Sequence, residues 1–513
     1  MQETNQRSLI SIILSSSLGT LIEWYDFYIF GSLAVIIAQK FFPTGNPTAA
    51  LLSTLATFAA GFIVRPFGAL FFGRLGDIVG RKYTFLVTLS VMGLSTFLIG
   101  CIPSFETIGW AAPIMVLFLR LLQGLAVGGE YGGATTYVAE HAPKNARGFW
   151  TSWIQVTAPL GLLVTLAVII SVKSLVGDVR FNDWGWRIPF WVSILLVGVS
   201  IAIRLRMAES PLFAKIKSQG KTSTNPLKES FGKRENFKMV LIALFGATMG
   251  QGTVGYTVLF YPQLFLINIC HIESNQVNIW ICYALLITGF GNVLTGWLSD
   301  YTSRKIIMMM GMALAVLFTK PIYESIFQSA SVSAKTEIVE KRTSKETRTL
   351  ATNKTDSVST AETIKYYTDG TQFTQKTETI LFADASHAPK DYRPKATQVA
   401  MLPSSLKWTV IGPLMLLGLF SLMIYGPLAA YLVELFPTRI RYTSLSLPYH
   451  IGSGVLGGMV PFVSTLLYEY SKTPDRPEGD PFSGLVYPVS ATLVCLIIGT
   501  FYLPNKGNEM DNE

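Results

Sequence analysis

Five charged residues lie deep within the apolar runs of the first half of the chain: Glu23, Asp26, Arg65, Arg120 and Glu130. A charge at the centre of a bilayer costs roughly 2.5–3.5 kcal/mol even on lenient scales, so such residues usually face a cavity and have partners. The chemistry open to this set is anion binding and proton exchange. A guanidinium binds an anionic group. A carboxylate whose proton affinity is raised by desolvation and lowered by a nearby arginine can trade its proton when a bound anion competes for that arginine. Glu23 and Asp26 are one helical turn apart and are expected to share a face. Arg120, Asp26 and Glu23 are the leading candidates for binding and coupling, while Arg65 and Glu130 suit a structural role equally well. The alternative for all five is a set of ion pairs, Asp26–Arg120 and Glu130–Arg65, that only hold helices together. Gln123, Gln155, Gln251, Tyr256, Tyr425, Tyr449 and His450 are polar residues of apolar runs and candidates to line the same cavity. Taken singly, each is better explained as a packing or interhelical hydrogen-bonding residue. A neutral His450 would also suit a proton relay.

The elements that must position these groups are membrane helices. Half of the 513 residues are hydrophobic and 14% are charged, against about 25% charged in an ordinary soluble domain. Roughly 20 apolar residues are needed to cross ~30 Å of hydrocarbon. Runs of that kind predict helices over 9–38, 48–72, 83–101, 110–136, 149–173 and 187–205, then over 238–266, 277–299, 306–328, 408–433, 443–468 and 484–504. The expected fold class is therefore an all-α membrane protein of twelve transmembrane helices. No cleavable signal peptide is expected, because the first apolar run is too long and contains acidic residues. Basic residues concentrate in alternate connections, which under the positive-inside rule places both termini in the cytoplasm. The net charge of +9 is a topology signal of that kind, and nucleic acid is not expected as a partner because the basic residues are spread over many short loops rather than clustered on one domain. Cys101, Cys270, Cys282 and Cys495 lie singly, without metal-ligand spacing.

Two pairs of loops repeat. Gly73-Arg-Leu-Gly-Asp77-Ile-Val-Gly80-Arg81-Lys82 is matched by Gly296-Trp-Leu-Ser-Asp300-Tyr-Thr-Ser303-Arg304-Lys305, at an offset of 223. Glu140-His-Ala-Pro143-Lys-Asn-Ala-Arg147 is matched by Glu434-Leu-Phe-Pro437-Thr-Arg-Ile-Arg441, at an offset of 294. The offsets differ by 71, close to the length of the one polar segment that interrupts the helices, 329–400. One insertion in a duplicated six-helix unit accounts for both. The divisions expected are a bundle over 1–205, a cytoplasmic loop over 206–237, a second bundle over 238–328 and 401–504, an external insertion over 329–400, and a cytoplasmic tail over 505–513. Within the insertion, Ile364 to Phe373 reads as alternating strands around an Asp-Gly turn, so a small β-containing unit is expected. Asp77, Arg81, Glu140, Arg147, Asp300, Arg304, Glu434 and Arg441 are candidate members of a cytoplasmic gate. Half-exposed charge pairs between bundles, worth about 0–1 kcal/mol each, favour a closed state without locking it. Topology and helix capping are the alternative explanation.

The repeated loops resemble those of the major facilitator superfamily, over nearly the whole chain outside the insertion. Glu23-Trp24-Tyr25-Asp26-Phe27, Arg65-Pro66-Phe67-Gly68, Arg120-Leu-Leu-Gln123-Gly124, Gly128-Gly129-Glu130-Tyr131-Gly132-Gly133, Ala208-Glu209-Ser210-Pro211 and Tyr449 with Gly452 narrow the resemblance to the bacterial metabolite:proton symporters. That family includes permeases for proline and betaine, shikimate, 2-oxoglutarate and citrate. The resemblance implies two pseudo-symmetric six-helix bundles, working as a monomer in the bacterial cytoplasmic membrane. It also implies proton-coupled uptake, with the proton as coupling ion and no other cofactor. Three positions depart from the pattern: Ile78 where a basic residue is common, Ser303 in place of a loop glycine, and His450 where Asn is usual. The last weakens any transfer of substrate identity.

The expected activity is uptake of a small organic acid. Uptake of a zwitterionic osmolyte such as proline or betaine is the alternative; osmosensing, which in that family goes with a long coiled-coil tail, is not expected, because the residues after Leu503 show no heptads. Drug efflux fits less well, since Ala158-Pro159-Leu160-Gly161-Leu162 is a poor match to the efflux run. A transporter-like nutrient sensor would need long tails. No phosphate-binding loop, metal cluster or nucleophile constellation argues for an enzyme.

Overall fold

The computed structural model describes residues 6–43, 46–78, 81–129, 131–205, 231–350, 357–381, 394–436 and 441–505. Glu130 lies outside the described residues, as do the side chains of Asp77, Arg81 and Glu140. Among the described residues, ten helices are long and apolar enough to cross a membrane. These are α2 (Pro47–Phe72), α4 (Ala111–Thr136), α5 (Lys144–Val176), α6 (Gly185–Ala202), α7 (Arg234–Ile269), α8 (Ser274–Tyr301), α9 (Arg304–Ala330), α10 (Ser404–Leu435), α11 (Thr443–Tyr470) and α12 (Ser483–Tyr502). The first span, α1, is a pair, Ser17–Ser32 and Ala34–Phe41, bent by 62°. The shorter α3 (Arg81–Ile99) completes the set of twelve.

The bend in α1 corrects the single helix expected over 9–38. Gly31-Ser32 is the kind of pair at which helices kink, and Leu33 leaves helical geometry at ψ 15°. Gly31 is also where α1 meets α7: a Cβ there would strike the Phe260 ring. Two further helices depart from regular geometry. α7 contains π-helical turns at Leu244–Thr248 and Phe265–Ile269, and α11 contains one at His450–Gly457. Such turns are rare and concentrate at functional sites.

The first six helices and the last six meet along a common seam. α5 packs on α8, α2 on α11, and α1 on α7 through Tyr28 and Phe260, whose ring centroids are 5.0 Å apart. Between α4 and α11, the Tyr131 and Tyr449 rings stack at 3.4 Å with 4° between planes. Close approach within each half depends on glycine. A Cβ on Gly128 would fall onto the Arg65 carbonyl, so this glycine fixes how α4 lies against α2.

Between α9 and α10 the chain forms a four-stranded antiparallel meander, as the alternating pattern implies: β1 (Thr343–Leu350), β2 (Ser357–Tyr366), β3 (Gln372–Leu381) and β4 (Lys395–Met401). The expected Asp-Gly turn closes β2 onto β3, with Tyr366 opposite Gln372. Gly370 takes φ +88°, and Asp369 accepts the Thr371 N–H at 2.9 Å. The loop is longer than a two-residue hairpin turn, because Tyr367 donates to the Thr371 carbonyl at 2.9 Å.

Candidate functional site

A small cavity of about 20 Å³ lies where α1, α2, α4 and α11 converge, lined by Thr20, Glu23, Trp24, Phe27, Arg65, Val127, Tyr131, Tyr449 and His450. That is room for about one water molecule. Arg65 is 2% exposed, and its Nε and Nη2 have no hydrogen-bond acceptor among the described residues. Its guanidinium carbon sits 4.1 Å from the Phe62 ring centroid, 4.3 Å from Phe27 and 5.6 Å from Trp24. Aromatic faces attract a cation, but they leave its N–H donors unused. The Tyr256 phenol lies beside this guanidinium, close enough to interact with it but outside hydrogen-bonding distance and angle, and both ring nitrogens of His450 are likewise without a partner among the described residues. Gln155 donates to the Tyr131 hydroxyl at 2.8 Å and so orients one wall.

Arg120 occupies a different place. It is fully buried behind Phe27, with its guanidinium carbon 4.2 Å from that ring, 4.6 Å from Phe30 and 5.0 Å from Phe58. Its Nη1 donates to Gln123 Oε1 at 2.7 Å, and Gln123 donates onward to Thr96 Oγ1 at 2.7 Å. This chain ties α4 to α3, while Nε and Nη2 of Arg120 have no acceptor among the described residues.

The two acidic residues of α1 separate. Glu23 lines the cavity, whereas Asp26 is fully buried, and neither of its oxygens accepts a hydrogen bond among the described residues. Its neighbour is Ser193 of α6. The ion pair Asp26–Arg120 is not formed. One helical turn places Glu23 and Asp26 within about 60° around the axis, and at a crowded seam that angle is enough to give them different surroundings. Arg65–Glu130 falls outside the described residues.

At the face of the repeated loops, Asp300 at the end of α8 accepts the backbone N–H groups of Gly148 and Phe149, at 2.7 and 2.8 Å. This places a carboxylate at the N-terminus of α5, where helix N–H groups are unpaired and the dipole favours negative charge. Arg304 stays within the second half, pairing with Asp300 at 3.1 Å and with both Glu434 oxygens at 2.8 Å. Gly148 permits the crossing, since a Cβ there would meet the Gly296 carbonyl. Arg147 follows the opening 3-10 turn of α5 as its first α-helical residue, and the buried Arg441 donates to the Phe436 carbonyl at 3.2 Å. The link described between the halves at this face is thus a carboxylate on backbone donors. Sequence alone cannot reveal that partner, because every residue has a backbone N–H.

Comparison with known proteins agrees with this architecture. The family model for sugar (and other) transporters matches residues 12–241. The chain is 35% identical to the alpha-ketoglutarate permease of Escherichia coli over 326 residues, covering 64% of this chain and 74% of that protein. It is 34% identical to the proline/betaine transporter of Escherichia coli over 314 residues, covering 60% of this chain and 62% of that protein. The crystal structure of a D-xylose-proton symporter superposes with a TM-score of 0.64 at 16% identity, covering 97% of this chain and 98% of that one, which establishes the shared fold. The chain belongs to the major facilitator superfamily of membrane transporters.

Proposed function

We propose that the protein takes up a small organic anion by proton-coupled symport, alternating access to the central cavity between the two sides of a bacterial cytoplasmic membrane. The observation that carries this reading is Arg65, a buried guanidinium with two unused N–H donor atoms in the wall of a cavity between the halves. A buried charge without full hydrogen bonding is costly. An incoming carboxylate would supply charge-assisted bonds to it, the stronger class of hydrogen bond. Tyr256, Tyr131, Tyr449 and His450 offer further donors, and Arg120 supplies a second positive charge behind Phe27. The permease for a dicarboxylate among the relatives supports an organic acid as substrate.

Glu23 shares the cavity with Arg65, so its charge competes with substrate for the same cation. Protonation of Glu23 removes that competition and links proton entry to anion entry. Asp26 is the second candidate proton carrier: a proton would neutralise a carboxyl that has no cation against it. No other cofactor is required, and a monomer suffices. Both termini and the repeated loops face the cytoplasm in this reading, and the sheet faces outward. Asp300, Arg304 and Glu434 then form half of a cytoplasmic gate, with Asp77, Arg81, Glu140, Arg147 and Arg441 as members of the other half or its continuation.

The second reading, uptake of a zwitterion such as proline or betaine, draws on the carboxylate and guanidinium facing one cavity and on the proline/betaine relative. Uptake of labelled 2-oxoglutarate and of labelled betaine into proteoliposomes, with and without an imposed proton gradient, separates the two. Gradient-driven accumulation of the acid, insensitive to excess betaine, is expected. Accumulation of betaine alone would replace the first reading by the second.

A further inference from the structure

On the face that carries the sheet, a second polar link joins the halves. Lys173, near the end of α5, donates to Glu273 at 3.1 Å and to Ser274 at 3.4 Å, and it also pairs with Asp178 at 3.3 Å. Glu273 belongs to the other half. It caps α8 by accepting the N–H groups of Asn275 and Gln276, at 2.9 and 2.8 Å. The link therefore resembles the one at the opposite face: a carboxylate at a helix N-terminus, on the seam between α5 and α8.

The residues that carry Glu273 are held by the sheet. Ala400 in β4 donates to the His271 carbonyl at 2.7 Å, and Glu273 donates its own N–H to the Ala400 carbonyl at 3.0 Å. Two residues on, the Gln276 side chain donates to the Leu402 carbonyl at 2.7 Å and accepts the Leu402 N–H at 3.1 Å. The connection between α7 and α8 thus behaves as a short fifth strand, with Ile272 beside Ala400. His271, the only non-glycine residue with positive φ among the described residues, makes the reversal that brings it there. Ile272, Ala400 and Leu402 are all buried. The sheet is fastened in turn to the end of α9, where Val332 packs on Tyr367, Phe373 and Ala400, and Lys335 pairs with Asp369 at 2.7 Å.

We propose that the inserted sheet is a strap: by fixing the α7–α8 connection to the end of α9, it holds Glu273 where Lys173 can reach it and so sets how readily this face of the transporter opens. The inference rests on the alternating-access reading above. Gln276 is a positioning residue in this scheme and touches neither Lys173 nor the central cavity. An unstrapped Glu273 would share its charge with solvent, and the pair would weaken to the value of an exposed one.

The test is a distance measurement by pulsed electron resonance in full-length, cysteine-free protein, with spin labels at Val179→Cys and Val486→Cys, exposed sites on this face in opposite halves. Lys173→Ala is expected to enlarge the long-distance population. Gln276→Ala is expected to enlarge it about fivefold, the scale of one net hydrogen bond. The double variant should show no more opening than Lys173→Ala alone, because both act through Glu273. Arg348→Ala, on the exposed strand β1, should leave the distribution unchanged and verify that a sheet substitution as such has no effect. Opening by Lys173→Ala but not by Gln276→Ala, or additive effects in the double variant, would overturn the strap alone. A distribution that no variant and no substrate moves would overturn alternating access at this seam and the strap with it.

Discussion

Arg65 and Phe27 stand 4.3 Å apart, guanidinium carbon to ring centroid, and the same ring meets the Arg120 guanidinium at 4.2 Å. One aromatic side chain thus supports two buried cations without neutralising either. Each such contact is worth about 0.5–2 kcal/mol. Phe27→Leu is expected to lower the unfolding temperature in detergent and to raise the substrate KM, whereas Phe27→Trp, which keeps a π face, is expected to bind more nearly as the parent does. Equal KM values for Leu and parent would show that the ring does not set the position of Arg65.

The two arginines predict different losses. Arg65→Gln removes charge from the cavity wall, and substrate affinity is expected to fall roughly 10- to 100-fold, the scale of a lost hydrogen bond to a charged group. Arg65→Lys restores charge but not the planar fork and is expected to recover only part of it. Arg120→Gln breaks the chain through Gln123 to Thr96, so its principal effect is expected in thermal stability, with a smaller rise in KM. Binding measured by isothermal titration of the solubilised protein distinguishes the cases. A larger affinity loss for Arg120→Gln than for Arg65→Gln would reverse the assignment.

At the repeated-loop face, Asp300→Asn keeps the shape but removes the charge that two backbone N–H groups share. The halves are expected to separate there more often, read as at least severalfold faster labelling of Ser152→Cys by a maleimide in an otherwise cysteine-free protein. Unchanged labelling would mean that helix packing alone holds this face shut.

Acid acts on the sheet-bearing face in a defined direction. Burial alone would raise the Glu273 carboxyl, but the Asn275 and Gln276 N–H groups and the Lys173 ammonium outweigh it and hold the group below the ordinary glutamate value near 4.5. Its contribution is therefore complete at neutral pH and is lost as pH falls through that lowered value. His271 is held below its ordinary 6.5 chiefly by burial, with Lys472 adding to the effect and Glu478 opposing it. A buried neutral imidazole resists charging, so it too costs stability as pH falls below 6.5. The label pair across this face is expected to report a constant closed fraction from pH 8 to about 6.5 and increasing opening below, with the steepest part removed by Glu273→Gln. Closure that strengthens on acidification would contradict this.

Much of the architecture is readable from the chain because a membrane enforces it. Apolar run length fixes the spans, and the two loop offsets fix the duplication and the place of the insertion. The Asp-Gly step at Asp369-Gly370 announced the β2–β3 turn. What escaped has a common cause. The depth of a charge along a helix is countable, but its azimuth relative to neighbours is not, so the ranking of Arg120 ahead of Arg65 had no azimuth behind it: Arg65 lines the cavity, and Arg120 lies behind Phe27. The Asp300 contact uses backbone donors, and the Lys173–Glu273 pair joins two ordinary surface-type residues 100 positions apart. Neither leaves a motif. The bend after Ser32 had a local signal in Gly31-Ser32, but the surrounding apolar run concealed it.

Accumulation of an organic acid through the Arg65 cavity is proposed to be driven by an inward proton gradient. It is tested most directly by uptake of labelled 2-oxoglutarate into proteoliposomes, with the outside acidified, for the parent protein and for Glu23→Gln. Uphill accumulation by the parent that a protonophore abolishes is expected, with gradient-independent equilibration and no accumulation by Glu23→Gln. Accumulation by the parent that persists with the gradient collapsed, or full gradient-driven accumulation by Glu23→Gln, would contradict it.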